Sequence, residues 1–451
     1  RKTMKPIKEV KSRMRRKNKI RIINNRIDLI SFTKDVQGLD FKITKSTITL
    51  IRRWRRGSAE EECTKTIKRY ASTNIVKTLA LYRSEGQKDA QRLRLTNKDP
   101  KLHKDFIEPL REIGVNEFIA YVYYCYCEKC GQEKLENAVR EFEKITGVKV
   151  TGRYRNELAH NPVFITDVNS KPLAIFIRHM ERMLRKQIAY GNVPKDIATK
   201  YIRSIIDGDG SFSIRIKRGK VDGTYLLIFE TDNEAITDIL TIFERYFSIK
   251  LRTYSEGRIT NGRQMKSINL DNLLELLLND LIPDKYLDKV AKRVAIALQR
   301  KDTPWILLKL SENFKDKWFS SKEASEILSK SRHHMLERLR KLEEKGYLVS
   351  TKKKINNNRI GTPIRRLFRL SEKGRELVEI LYSLPLSSST LFTLSFMLSA
   401  FWKSFIIDPS QPSCHWNGGE CLCSNLQYSK RPEGYLEKVR RGGLNVGIWN
   451  L

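Results

Sequence analysis

Hydrophobic and polar positions change period repeatedly along the chain, and each change marks an element. Phe212, Ile214 and Ile216 alternate with Ser213, Arg215 and Lys217, the period-two pattern of a strand with one buried face. Residues 196–210 before it carry a helical pattern. After it, Asp222-Gly223 predicts a hairpin turn and 225–229 the returning strand. Asp232 caps a helix to about Phe247, strands at 250–254 and 265–270 flank a turn at Asn261-Gly262, and Asp271 opens another helix.

A similar layout stands upstream. A helix over 64–86 leads to a strand at 91–96, in which Leu93 and Leu95 face one way and Arg92 and Arg94 the other. Asn97 or Asp99 caps the next helix, Pro100 suits its first turn, and Gly114 ends it. A strand at 121–126, a helix to Gly147, strands at 148–154 and 163–168, and a helix from about Pro172 complete the unit. Read as two copies of helix, hairpin, helix, hairpin, helix, the fold is α+β, a pseudo-twofold pair of αββαββα units over 64–185 and 186–302.

Residues 303–382 follow a different logic. A helix begins at 305–310, Ser320 and Glu323 form a capping box for a second, and a third runs over 331–346 with Met335, Leu339 and Leu342 inward. Strands at 347–352 and 364–370 follow. Three helices and a two-strand wing resemble a winged helix-turn-helix, with Arg332 and Arg338 placed to meet DNA; a protein-docking module is the alternative. Residues 383–451 fit neither pattern, as a frame running on into neighbouring sequence would.

Charge narrows the partners. The 451 residues hold 87 Lys and Arg against 52 Asp and Glu, a net +35. That favours a polyanion, nucleic acid above all, although a ribosomal or merely basic protein fits the charge as well. Residues 1–56 alone carry 19 basic and 4 acidic residues, so 1–63 reads as a basic arm or small helical module. The chain opens on Arg1 rather than Met, as a fragment or a frame open upstream would, and it begins without an apolar signal core.

The seven cysteines make no disulfide framework. Cys125, Cys127 and Cys130 read as small thiols beside a strand rather than a zinc site, and Cys414, His415, Cys421 and Cys423 form a second, loose group. The uncharged stretch 384–402 is long enough to span a bilayer. Pro385 and the run Ser387 to Thr390 argue against a span, and no membrane partner is expected.

The informative residues end the first helix of each unit. Thr78-Leu79-Ala80-Leu81-Tyr82-Arg83-Ser84-Glu85-Gly86 and Ile202-Arg203-Ser204-Ile205-Ile206-Asp207-Gly208-Asp209-Gly210 align on their last glycine. Ala80 with Ser84, and Ser204 with Gly208, place small residues four apart, a groove for close helix packing. Glu85 and Asp209 occupy the same step. Packed along a twofold, two such carboxylates repel unless a cation sits between them, and Mg²⁺ suits them better than zinc. An acid at a helix C-terminus opposes the macrodipole, so as a stability device it is badly placed.

The run Ile205-Ile206-Asp207-Gly208-Asp209-Gly210-Ser211-Phe212 resembles the second LAGLIDADG motif of homing endonucleases, and Leu81-Tyr82-Arg83-Ser84-Glu85-Gly86 a diverged first one. The resemblance covers roughly residues 64–300. It implies a saddle of twisted strands on double-stranded DNA and hydrolysis with Mg²⁺ or Mn²⁺ held by Glu85 and Asp209. It also implies a nearby basic residue, for which Lys266, in parity with Ile268 and Leu270, is the candidate. Arg92, Arg94, Arg215, Lys217 and Arg252 are the candidate DNA readers. Arg83 and Ser84 depart from the usual acid and alanine. Splicing residues of an intein are absent, which implies a free-standing, intron-encoded monomer in the cytoplasm or an organelle matrix. Two other readings use the same surface: a transcriptional regulator that no longer cuts, and a maturase bound to intron RNA.

Overall fold

The computed structural model describes residues 20–385 except 57, 87–91, 126–130, 157–158, 160, 218–219, 231, 256–262, 267–268 and 355–363. The first described elements are strands: β1 (Ile22–Ile23), β2 (Arg26–Asp28), β3 (Asp40–Ile43), β4 (Thr47–Arg56), β5 (Ala59–Lys68) and β6 (Tyr70–Ser72). β1, β2 and β6 make one antiparallel sheet, and β3, β4 and β5 another. The expected arm or helical module is therefore a pair of small sheets over its described part. The helix expected from residue 64 begins only at Ile75, because 64–68 complete β5.

The first unit comprises α1 (Ile75–Glu85), β7 (Leu93–Asn97), α2 (Pro100–Glu112), β8 (Ile119–Tyr124), α3 (Gln132–Thr146), β9 (Val150–Arg155), β10 (Val163–Val168) and α4 (Lys171–Ala189). Local chemistry sets several boundaries. Asp99 Oδ1 accepts the Lys101 N–H at 2.9 Å and opens α2. Gly147, at φ 64°, ends α3 in the left-handed conformation. The strand order is β7-β10-β8-β9, with β8 and β9 parallel. This corrects the expected αββαββα order. A helix, not a hairpin, follows β7, and β10 returns from far along the chain to lie between β7 and β8.

The second unit keeps its hairpins. α5 (Lys195–Gly208), β11 (Gly210–Lys217), β12 (Lys220–Glu230), α6 (Asn233–Phe247), β13 (Arg252–Ser255), β14 (Arg263–Lys266), α7 (Leu270–Leu278), a 3₁₀ turn (Asp284–Tyr286) and α8 (Leu287–Gln299) follow in order. Its sheet runs β11-β12-β14-β13, all antiparallel. The β11–β12 ladder closes at Lys217↔Lys220. Asp222-Gly223, expected as the turn, therefore lies inside β12, at a register shift between Arg215 and Ile216. Asn261-Gly262 lies outside the described residues.

A third group completes the described chain: α9 (Thr303–Phe314), β15 (Phe319–Ser320), α10 (Ser321–Ile327), α11 (Arg332–Glu344), β16 (Leu348–Lys354), β17 (Ile364–Leu370) and α12 (Glu372–Ser383). The Ser320–Glu323 capping box forms, and Met335, Leu339 and Leu342 are buried as their spacing requires. β15 and α12 were not foreseen. The group sits on α7 through two acids: Glu275 accepts from Tyr347 Oη at 3.2 Å and from Lys373 Nζ at 2.6 Å, and Asp271 from Lys345 Nζ at 2.8 Å.

Among the described elements α1 is central. Seven of its eleven residues are buried, because α5, α2, α4 and β7 enclose it. A helix so enclosed stays together only if its neighbours accept its shape closely, and the small residues do that work. Residues 386–451 lie outside the described part, including most of 384–402. Among the described residues no helix is long and apolar enough to cross a membrane.

Candidate functional site

The α1–α5 pair meets where both helices end. A methyl group on Gly208 would run into the Ser84 side chain and lie 3.2 Å from Glu85 Cγ, so hydrogen is the only side chain the approach admits unchanged. Ser84, in this contact, and Ser204, one turn back on α5, have their hydroxyls satisfied within their own helices. Each bonds its own helix, Ser84 Oγ to Ala80 O at 3.2 Å and Ser204 Oγ to Lys200 O at 2.8 Å. The terminal glycines are alike as well. A Cβ on Gly86 would strike the Tyr82 carbonyl, and one on Gly210 the Ile206 carbonyl, four residues back in both cases.

These contacts bring Glu85 and Asp209 to adjoining helix ends. Glu85 Oε1 accepts from Asn97 Nδ2 at 2.7 Å. Asn97 is itself held: its Oδ1 takes the Asp99 N–H at 2.9 Å, and its carbonyl bonds His103 Nε2 at 3.0 Å. Burial lowers His103 to about 4, so the ring is neutral at ordinary pH, with Nδ1 on Thr166 Oγ1 at 2.8 Å. Burial pushes the Glu85 carboxyl above its ordinary range, while the Asn97 bond and the Lys285 charge oppose the shift. Asp209 is half-buried and closes α5, its N–H on Ile205 O at 3.1 Å.

Lys285 is the basic residue that the structure brings to this end, and sequence reading missed it. It sits in the 3₁₀ turn, where its Nζ lies 3.1 Å from Asp207 Oδ1 and also bonds the Asp207 carbonyl. Burial raises Asp207, and Lys285 draws it back. The next residue donates its Tyr286 hydroxyl to the Gly210 carbonyl, and Lys289 Nζ reaches Phe212 O at 3.0 Å. The turn therefore clasps the end of α5 and the start of β11. Lys266, expected in this role, ends β14 opposite Arg252. The side chains of Lys266, Arg252 and Lys217 lie outside the described part.

Arg83 does structural work. Its guanidinium pairs with Glu230 at 2.7 Å and Asp232 at 3.3 Å, tying α1 to the end of β12 and the cap of α6. Neighbouring buried groups form a second cluster. Arg185 meets Glu181 and Asp238, and Tyr201 Oη donates to Glu181 at 2.8 Å.

The donor set fits a hard divalent ion in kind: two carboxylates, one of which, Glu85, is desolvated so that a neighbouring cation is favourable. Among the described residues no group of three or more His, Cys, Asp or Glu could hold a metal, so water and substrate oxygen would have to supply the other ligands. Cys125 is buried, whereas Cys127, Cys130, Cys414, His415, Cys421 and Cys423 lie outside the described residues.

The candidate DNA readers are unevenly available. Leu93 and Leu95 are buried as their parity requires. Arg92 is exposed, 3.7 Å from Asp167. Arg94 is committed to Asp167, directly opposite on β10, through two bonds of 2.6 Å. Arg215 is exposed on β11, and Arg332 at the start of α11. Arg338 donates to Lys301 O at 3.3 Å. The first sheet also presents three tyrosines, with Tyr121 and Tyr123 5.8 and 5.6 Å from Tyr154 and the side chains of Tyr121 and Tyr154 crowding over Gly152. The alternation Ala120-Tyr121-Val122-Tyr123 carried that signal.

No family model and no curated protein matches this chain. Among solved structures, the N-terminal LAGLIDADG domain of DUF199/WhiA is similar at a TM-score of 0.28 and 11% identity, over 47% of this chain and 84% of that one.

Proposed function

We propose that the protein binds double-stranded DNA and cuts it with a divalent metal ion, a site-specific endonuclease of the LAGLIDADG type with internal pseudo-symmetry. The observation that carries this is the seating of Gly208 against Ser84 and Glu85, which draws two matching acids to one place. Glu85 and Asp209 would hold the ion, which when bound supplies Lewis-acid polarisation of the scissile phosphate and an acidified water. The chain's own groups do the rest. Asn97 fixes the Glu85 carboxylate, Lys285 offsets negative charge beside Asp207, and Tyr286 holds the end of α5 in place.

The third group supports a winged-helix reading. Its order α9, β15, α10, α11, β16, β17 and its sheet order β15-β17-β16 leave α11 with Arg332 and His333 exposed at its start, for a major groove. A regulator that binds without cutting is favoured by one observation, the Lys285 ammonium already serving Glu85 and Asp207 as counter-charge. The deciding experiment incubates the protein with Mg²⁺ or Mn²⁺ and its uninterrupted host locus. Metal-dependent double-strand cleavage at one place supports the endonuclease; sequence-specific binding with intact DNA supports the regulator.

A further inference from the structure

The β4–β5 hairpin is longer than its packing requires. Its inner half is core: Ile48, Leu50 and Ile67 are buried, the sheet packs on α4, and the Phe41 and Phe176 rings lie 5.8 Å apart. Past Ile51 both strands leave the core, and residues 53–56 and 58–60 are exposed. A two-stranded ribbon gains little stability on its own, and a chain that only had to turn back could do so at Ile51.

The ribbon's two faces differ in charge. On one, Arg53 and Arg55 stand opposite Glu62 and Glu60, and Arg53 also pairs with Asp40 at 2.6 Å. On that face each arginine stands across from a glutamate, and Arg53 is ion-paired. The other face continues the buried row of Ile48 and Leu50 outward as Arg52, Trp54 and Arg56, opposite Cys63, Glu61 and Ala59. Among the described residues no ion pair holds Arg52 or Arg56, and Trp54 is 38% exposed. An exposed indole between two guanidinium groups held in no ion pair, with one acid, Glu61, across from it, suits a surface of regularly spaced phosphates with apolar sugar between them. Four residues of strand separate the arginines by about 13 Å. One strand of a duplex carries a phosphate every ~3.4 Å of axis, so both can be engaged at once.

We propose that this ribbon is a second DNA contact, outside the candidate cleavage site, gripping the duplex backbone through Arg52 and Arg56 with Trp54 against the sugars. The proposal rests on the reading of duplex DNA as partner but not on cleavage. Its test is a salt series of fluorescence-anisotropy titrations of the full chain on a generic labelled duplex, in EDTA. Arg52→Gln with Arg56→Gln should lower the slope of log affinity against log salt by about 1–2 units. Arg53→Gln with Arg55→Gln, whose charges already face glutamates, should change it by less than half as much, and Trp54→Ala should weaken binding several-fold without moving the slope.

Equal slope changes for the two pairs, or none for the first, would overturn the ribbon even in a protein that cuts DNA. A slope change confined to duplex RNA would overturn the DNA assignment. Loss of cleavage alone, with the arm's effect intact, would overturn the endonuclease and leave the ribbon standing. All five positions are at least partly exposed, and unchanged thermal melts of the variants keep misfolding from imitating the result.

Discussion

Counted back from the terminal glycine, α1 and α5 carry Glu85 and Asp209, then Ser84 and Gly208, then Arg83 and Asp207. The first step is the same in kind and the third opposite in sign. Arg83 finds Glu230 and Asp232, and Asp207 finds Lys285. Every one of those counter-charges belongs to the second unit. The middle step shows that close approach is a property of the pair: one glycine suffices because its partner on α1 is only a serine. The two helix ends differ in charge where the second unit supplies the counter-charge, and agree at the acid.

The largest effect should come from the acids. Under the proposed endonuclease reading, Asp209→Asn and Glu85→Gln should each slow single-turnover cleavage by about 10²–10³-fold, since ion-borne charge stabilisation amounts to several kcal/mol. Affinity for the duplex in EDTA should stay within about two-fold. Full cleavage by either variant would mean that the two ends are not equivalent.

The third step should separate the units by stability. Arg83→Met removes the cation beside Glu230, 6% exposed, which still takes the neutral Asp232 N–H, at a cost of up to about 3–5 kcal/mol. Asp207→Asn leaves Lys285, whose side chain is 34% exposed and can reach water, so the loss should stay under ~1 kcal/mol. Urea denaturation of both checks this, and equal midpoint shifts would erase the distinction.

At the middle step, Gly208→Ala should cost about 1–3 kcal/mol by overpacking, whereas Ser84→Ala should be nearly neutral. Combining Gly208→Ala with Ser84→Gly should recover most of the loss, a coupling that a double-mutant cycle reads directly.

The smallest effect is in pH dependence. Asn97 favours the ionised form of Glu85, so Asn97→Leu should move the acid limb of cleavage to higher pH. For stability the sign follows from the raised carboxyl. Its contribution is full below the ordinary glutamate range and lost as pH rises through the shifted value. His103 works the other way, contributing above its ordinary 6.5 and losing that contribution as pH falls toward about 4. Glu85→Gln and His103→Gln should flatten different parts of the stability profile.

Much of the second unit was legible because its signals are local. Phe212 is buried and Asp232 caps α6 where the pattern placed them. In the first unit, β7 and α2 also follow from neighbouring residues, yet the central place of β10 depends on pairing across some seventy residues, which periodicity does not encode. Arg52 to Arg56 gave no alternation to read, since that part of β4 is exposed on both faces. Lys285 escaped because a three-residue turn has no period, and its partner lies 78 residues away. The partners of Arg83 are more distant still.

The enclosure of α1 also has a consequence in time. Translation delivers α1 early, and α5 emerges more than a hundred residues later. At roughly 5–20 residues per second that is a wait on the order of 5–20 s, far beyond the microseconds a helix needs to form. Throughout it, the face of α1 bearing Ala80 and Ser84 has no partner, and the counter-charges of Arg83 do not yet exist. A nascent chain stalled between the two units would carry that face bare, so synthesis speed between Glu85 and Lys195 should govern how much chain is lost to aggregation.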